Sequence, residues 1–104
     1  MAGKATTGVF LVDKTVTQTG SSILAVAENA TRSALMIQNI GVAGCSIVFA
    51  PAGGTATASA GGSGCIYLAP NTFWEGPVGA VPCNAVYTIG TAADKLVVYE
   101  SQNL

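Results

Sequence analysis

The chain has 104 residues, of which 50% are hydrophobic and 9% are charged, and its formal net charge is −1. A soluble domain normally carries about 25% charged residues, so one domain of this size must expose mostly small and apolar side chains. The four cations are scattered, and no apolar run approaches the ~20 residues of a membrane helix, so we expect neither a nucleic-acid nor a membrane partner. Such a surface favours a chain whose outside is covered by other subunits.

Short strands separated by turns are predicted along the whole chain. β-branched and alternating apolar residues mark the strands, and Gly, Pro and Asn end them. In chain order the predicted strands are 14–19, 23–26, 33–40, 45–49, 65–68, 72–75, 85–89 and 95–100. The window 22–30 is rich in Ala, but its β-branched residues and its short length favour a strand over a helix. This pattern predicts an all-β fold, either a single antiparallel β-sandwich or a jelly-roll-like barrel.

Two segments have a character of their own, and we divide the chain into an N-terminal arm, residues 1–13, and a β-sandwich domain, residues 14–104. The arm contains Val9, Phe10 and Leu11, an uncharged run of high β-propensity that predicts pairing with the sheet edge of a neighbouring subunit. The alternative is an edge strand of the chain's own sheet. Residues 53–64 are low in complexity and have no large side chain, which predicts a mobile loop unless a neighbour orders it.

The alternation of apolar residues also predicts the core. Its expected members are Leu35, Ile37, Ile47, Phe49, Leu68, Ile89 and Leu96.

The sequence contains few of the residues and motifs that enzymes use for catalysis. The chain has no His, which excludes Ser-His-Asp and Cys-His nucleophiles, and no phosphate-binding glycine motif is present. Its carboxylates sit beside turns or chain ends, where solvation explains them. The three cysteines are widely spaced, which predicts free thiols rather than a zinc site or a disulfide. We therefore expect no enzyme, no cofactor and no metal site.

Besides Val9, Phe10 and Leu11 of the arm, three further side chains are candidates for an interface. Phe73 and Trp74 are adjacent in a predicted strand, so one should lie in the core and the other should point outward. The outward ring would anchor a partner, stack on a sugar, or simply cover the end of the sandwich. Arg32 would bind a carboxylate of a neighbouring subunit, or else form a local salt bridge or stay solvated.

Several segments resemble small virion structural proteins of tailed bacteriophages. The resemblance covers residues 15–100 and is carried by Arg32-Ser-Ala-Leu-Met-Ile-Gln-Asn-Ile-Gly41, Glu75-Gly-Pro-Val78, Val81-Pro-Cys-Asn-Ala-Val-Tyr-Thr-Ile-Gly90 and Leu96-Val-Val-Tyr-Glu100. It implies a capsid decoration or cement protein that stabilises the head lattice by binding only the assembled form. The implied partners are the major capsid protein or other virion proteins and further copies of the chain, with a trimer favoured.

The same resemblance leaves an alternative role open, a head or tail fibre or spike base protein. Its implied location is the virion, and the host cytoplasm during assembly. From the residues alone, a carbohydrate-binding module using Trp74, Tyr67 or Tyr99 is a weaker third reading.

Overall fold

Two antiparallel β-sheets packed face to face make up the computed structural model, which describes residues 9–77 and 80–103. The described residues form the strands β1 (Val9–Asp13), β2 (Val16–Thr17), β3 (Ile23–Val26), β4 (Arg32–Asn39), β5 (Cys45–Phe49), β6 (Ile66–Leu68), β7 (Phe73–Glu75), β8 (Val86–Ile89) and β9 (Lys95–Asn103). The first sheet has the order β1–β9–β4–β7, and β2 also pairs with β9. The second sheet has the order β3–β8–β5–β6.

The strand order is that of a jelly roll. Strands β1 and β2 pair with successive parts of β9, so together they act as one edge strand. From there on, every connection passes from one sheet to the other, except the one between β5 and β6, which are neighbours in the second sheet. Four strands in each sheet, joined in this way, are the jelly-roll arrangement. The predicted all-β sandwich is confirmed.

A turn separates β1 from β2 and shortens the strand predicted at 14–19. The Asp13 carboxylate accepts hydrogen bonds from the amide of Thr15, at 2.8 Å, and from its hydroxyl. An Asp that binds the backbone two residues further on is typical of such turns. The hydroxyl bond and then the amide bond lower the pKa of Asp13 below its usual value.

The core lies between the sheets and follows the alternation of the strands. Leu35 and Ile37 of β4 lie across from Ile47 of β5, and none of the three side chains is more than 1% exposed. Leu68 and Leu96 are buried as predicted, and Phe49 packs against the same cluster.

Ile89 departs from the predicted core, since it is half-buried on the outer side of its sheet. Its strand turns Val86 and Thr88 inward, and both are fully buried. The Thr88 hydroxyl is accommodated there because it donates to the carbonyl of Ser46 over 3.2 Å and accepts from the Gln18 amide over 3.0 Å. In this strand, hydrogen-bonded Thr88 therefore faces the core, whereas hydrophobicity alone predicts that its neighbour Ile89 does.

Candidate assembly surfaces

Arg32, a predicted interface residue, lies inside the sandwich. Its Nε donates to the Glu100 carboxylate over 2.7 Å, and none of its side chain is exposed. One terminal nitrogen donates to the carbonyls of Pro82 and Asn84 at 2.7 and 2.9 Å, and the other to that of Ala27 at 2.8 Å. A contact between Arg32 and a neighbouring subunit would require these bonds to break. Arg32 therefore forms a salt bridge within its own chain, which was one of the alternatives to an interface contact.

Phe73 and Trp74 point to opposite sides of the first sheet. Trp74 faces the core, where its ring lies 5.1 Å from that of Phe49, tilted by 57°. Phe73 pairs with Gln38 on the outer side, and 60% of it is exposed. Of these two candidates, Phe73 is therefore the one placed to contact a partner.

The backbone of Val9, Phe10 and Leu11 belongs to β1, the edge of the chain's own first sheet. These residues pair with Asn103, Gln102 and Ser101 of β9. The part of the predicted arm that precedes them, residues 1–8, lies outside the described residues. Residues 9–13 therefore form an edge strand of the chain's own sheet, which was the alternative to pairing with a neighbouring subunit.

The outer side of the first sheet carries an apolar surface that we call the front face, defined by Met36, Phe73, Val97 and Tyr99. Tyr99 pairs with Met36 across β9 and β4, and Phe73 and Val97 both lie opposite Gln38. Tyr99 is 39% exposed, while Met36 and Val97 are half-buried. Gln38, between Phe73 and Val97, is the polar residue among these aromatic and aliphatic side chains.

The outer side of the second sheet carries a similar surface, the back face, defined by Leu24, Val48, Tyr67, Tyr87 and Ile89. Leu24, Tyr87 and Val48 form one row across three strands, and Ile89 and Tyr67 flank Ser46 in the next. Leu24 is 48% exposed and Tyr67 is 62% exposed. None of the residues of β3, β5, β6 or β8 is charged.

Residues 53–64 cross the back face. The sequence predicts that these residues form a loop that is mobile unless a neighbour orders it. Ala58 is buried, and its amide donates to the Ser22 hydroxyl over 2.9 Å. The amide of Gly61 donates to the Ser46 hydroxyl over 3.4 Å, and Ser46 is buried although it points outward. The small side chains of this loop allow it to lie flat against the sheet.

Between this loop and Tyr67 lies a cavity of about 350 Å³, which we call the Tyr67 cavity. One wall depends on a glycine: a Cβ at Gly44 would lie within 2.5 Å of three atoms of the Tyr67 ring and hydroxyl. Its lining is uncharged and consists of Gly20, Gly44, Cys45, Ser46, Ala60, Gly61, Tyr67, Ile89, Gly90 and Thr91. Neither this cavity nor the back face was predicted from the sequence. The signal that could have revealed them is the absence of any charged residue from 33 to 74.

The three cysteines form no disulfide within the chain, as predicted. Cys45 is buried, and its burial, with a smaller effect of nearby Asp94, raises the pKa of its thiol to about 11 although a bond with Thr88 opposes the shift. Cys65 and Cys83 are partly exposed.

In the described part of the chain, no group of three or more His, Cys, Asp or Glu side chains is placed to hold a metal ion, and no helix is long and apolar enough to cross a membrane.

No family model and no curated protein matches this chain. A solved structure from the endospore appendages of Bacillus, described as a novel family of disulfide-linked pili, matches it with a TM-score of 0.55. The match covers 98% of this chain and 92% of the other, at 20% sequence identity. The match shows a likeness in overall fold, and the strand order gives this chain the jelly-roll form of the β-sandwich.

The matched structure comes from an endospore pilus and not from a phage. The prediction of a capsid decoration or cement protein is therefore wrong. The alternatives, a fibre-base protein and a carbohydrate-binding module, are wrong as well. The resemblance of individual segments to virion proteins stays a prediction, as does the absence of catalysis.

Proposed function

We propose that this chain is a non-enzymatic structural subunit that assembles with copies of itself into a pilus-like polymer. The observation that carries the proposal is that both outer faces of the sandwich expose aromatic and aliphatic side chains, above all Phe73 and Tyr67. Exposed apolar surface on this scale, in a chain with 9% charged residues, is typical of a protein that other subunits cover. The likeness in fold to a protein of the Bacillus endospore pili supports the same conclusion.

The pili of the matched protein are disulfide-linked, and the cysteines of this chain differ in their fitness for such a link. Cys45 is buried and its thiol has a raised pKa, so little reactive thiolate forms at neutral pH. Cys65 and Cys83 are partly exposed and unpaired within the chain. A covalent link between copies would therefore use one of these two residues.

The proposal is tested on the purified protein by sedimentation velocity over a wide range of concentrations, and by negative-stain electron microscopy of the same samples. We expect large species that grow with concentration and appear as regular filaments. A monomer at every concentration would overturn the proposal. The same samples treated with a reductant show how copies are held, because disulfide-linked species dissociate and species held by surface contacts persist.

A further inference from the structure

We propose that copies of this chain stack in a single orientation, with Phe73 on the front face of one copy inserted into the Tyr67 cavity on the back face of the next. This inference rests on the proposed function, since it names the surfaces through which one subunit binds another. The partner at both surfaces is a second copy of the chain.

Phe73 and Tyr67 lie on neighbouring edges of the sandwich. Phe73 lies on β7, which is the edge strand of the first sheet, and Tyr67 lies on β6, which is the edge strand of the second. These two edges lie on the same side of the sandwich, since the Trp74 ring of β7 contacts Phe49 of β5 and the Asn39 amide of β4 donates to the carbonyl of Leu68 over 3.0 Å.

The two features also lie at the same end of the strands. Phe73 pairs with Gln38, near the end of β4, and Tyr67 pairs with Ser46, near the start of β5. The chain passes between these two strand ends through the short segment 40–44. A translation perpendicular to the sheets therefore brings the Phe73 of one copy over the Tyr67 cavity of the next.

The chemistry of the cavity fits an aromatic ring. All of its lining side chains are uncharged, so a ring that enters displaces water without stripping the hydration shell of a charge. Glycines at positions 20, 44, 61 and 90 keep the walls open, and Tyr67 offers a ring for aromatic contact. Phe73, with 60% of its surface exposed, has the most to gain from such burial among the front-face residues.

The polarity of the two faces fits an interface between copies. The strands of the second sheet have three to five residues, about 10–17 Å, so the sheet itself gives the back face roughly 250 Å², and the loop of residues 53–64 with the connections at the strand ends must supply the rest of a contact of specific size. The exposed charged residues of the first sheet lie towards its borders, with Asp13 on the edge strand β1, Glu75 at the end of β7 and Lys95 at the start of β9. An apolar centre with charges at the rim is the usual anatomy of an interface.

Stacking of this kind has a direct consequence for the assembly. The front and back faces are different surfaces on opposite sides of one copy, so each bound copy leaves one face of each type free. Contacts of this heterologous type continue without closing and generate a filament. A contact of the front face with itself would instead stop at a dimer.

Two variants that each block one face test the inference. Phe73→Asp alters the front face and leaves the cavity intact, whereas Ala60→Trp fills the cavity from an exposed loop position and leaves Phe73 intact. Circular dichroism confirms that each variant is folded. Each variant alone should associate at least about tenfold more weakly than the unmodified chain, and an equimolar mixture should form a one-to-one dimer through the two intact faces. Val42→Asp, at an 88% exposed position outside both faces, should assemble like the unmodified chain.

The outcomes separate this inference from the proposed function. If the unmodified chain forms filaments and either variant assembles equally well, the stacking contact is wrong and the polymer remains. A mixture that stays monomeric also overturns the stacking while the polymer remains. An unmodified chain that stops at a closed dimer or trimer overturns both the stacking and the polymer. If the unmodified chain never associates, both proposals fail.

Discussion

The guanidinium of Arg32 and the carboxylate of Glu100 form a buried ion pair between the first residue of β4 and the neighbouring strand β9. The atoms Nε and Oε2 are 2.7 Å apart, and only 5% of the Glu100 side chain is exposed. The other carboxylate oxygen lies 3.9 Å from the ammonium group of Lys14, which is half-exposed. Because Arg32 also binds the carbonyls of two loops, one side chain joins both sheets of the sandwich at this end.

Replacing Arg32→Met should destabilise the fold by about 3–5 kcal/mol, because the Glu100 carboxylate would stay buried with only the more distant Lys14 as a counter-charge. Urea unfolding followed by circular dichroism measures the loss. The double variant Arg32→Met, Glu100→Leu should recover part of it, since no buried charge then remains. A single variant within about 1 kcal/mol of the unmodified chain would show that the ion pair does not hold the sheets together.

The adjacent residues Trp74 and Phe73 should respond differently to truncation. Trp74→Ala removes a ring that packs against Phe49 and the core, and we expect a loss of about 3 kcal/mol. Phe73→Ala, the matched control, should cost less than about 1 kcal/mol in dilute solution, where the chain is least associated. Thermal unfolding at low protein concentration checks both values. Equal losses would contradict the opposite orientations of the two rings.

The strands were predictable because hydrophobic alternation and turn residues are local signals. The segments 23–26 and 45–49 were predicted with the observed bounds, and residues 33–40 differ from β4 by one residue at each end. Ile89 was misplaced because alternation alone does not tell which of two registers a strand adopts. The hydrogen bonds that allow Thr88 to be buried come from residues distant in the chain.

The candidate surfaces were less predictable than the strands. Sequence reasoning identified Phe73 and Trp74 as a pair with opposite orientations, but which ring faces outward depends on the packing of Phe49 from the other sheet. Arg32 was expected at an interface because a lone cation near a turn is usually exposed. Its burial depends on Glu100, which lies 68 positions away in the chain.

The thiol of Cys45 should make stability depend on pH in the alkaline range. Its pKa is raised from 9.0 to about 11 by burial, so the folded state keeps the proton where the unfolded state loses it. The protonated Cys45 thiol therefore makes its full contribution to the free energy of unfolding below pH 9. That contribution falls by up to about 2–3 kcal/mol as the pH rises towards 11.

The change is measured as the difference in unfolding free energy between the unmodified chain and Cys45→Ala, in urea at pH 7, 9, 10 and 11. The advantage of the unmodified chain should shrink over this range, because alanine has no proton to lose. Parallel pH profiles for the two proteins would rule out a buried, proton-retaining thiol. The tyrosines and lysines that titrate in the same range are present in both proteins and cancel in the difference.

The loop of residues 53–64 should be held on the back face by its two bonds to serine hydroxyls, and hydrogen exchange of single amides tests this directly. The amides of Ala58 and Gly61 donate to Ser22 and Ser46, so both should exchange more slowly than the loop amides that donate no hydrogen bond, such as those of residues 55–57. Ser22→Ala removes the acceptor of the shorter bond, worth about 1 kcal/mol, which corresponds to roughly fivefold faster exchange at Ala58.

Ser46→Ala should have a smaller effect at Gly61, because that bond is longer, at 3.4 Å. Ser63→Ala is the matched control, since this exposed serine lies in the same loop and anchors neither amide. If both amides of the unmodified chain exchange as fast as those of an open peptide, the loop is not held by its own sheet. In that case the loop keeps its bond at one end, where the Gly53 amide donates to the Glu28 carboxylate over 2.7 Å.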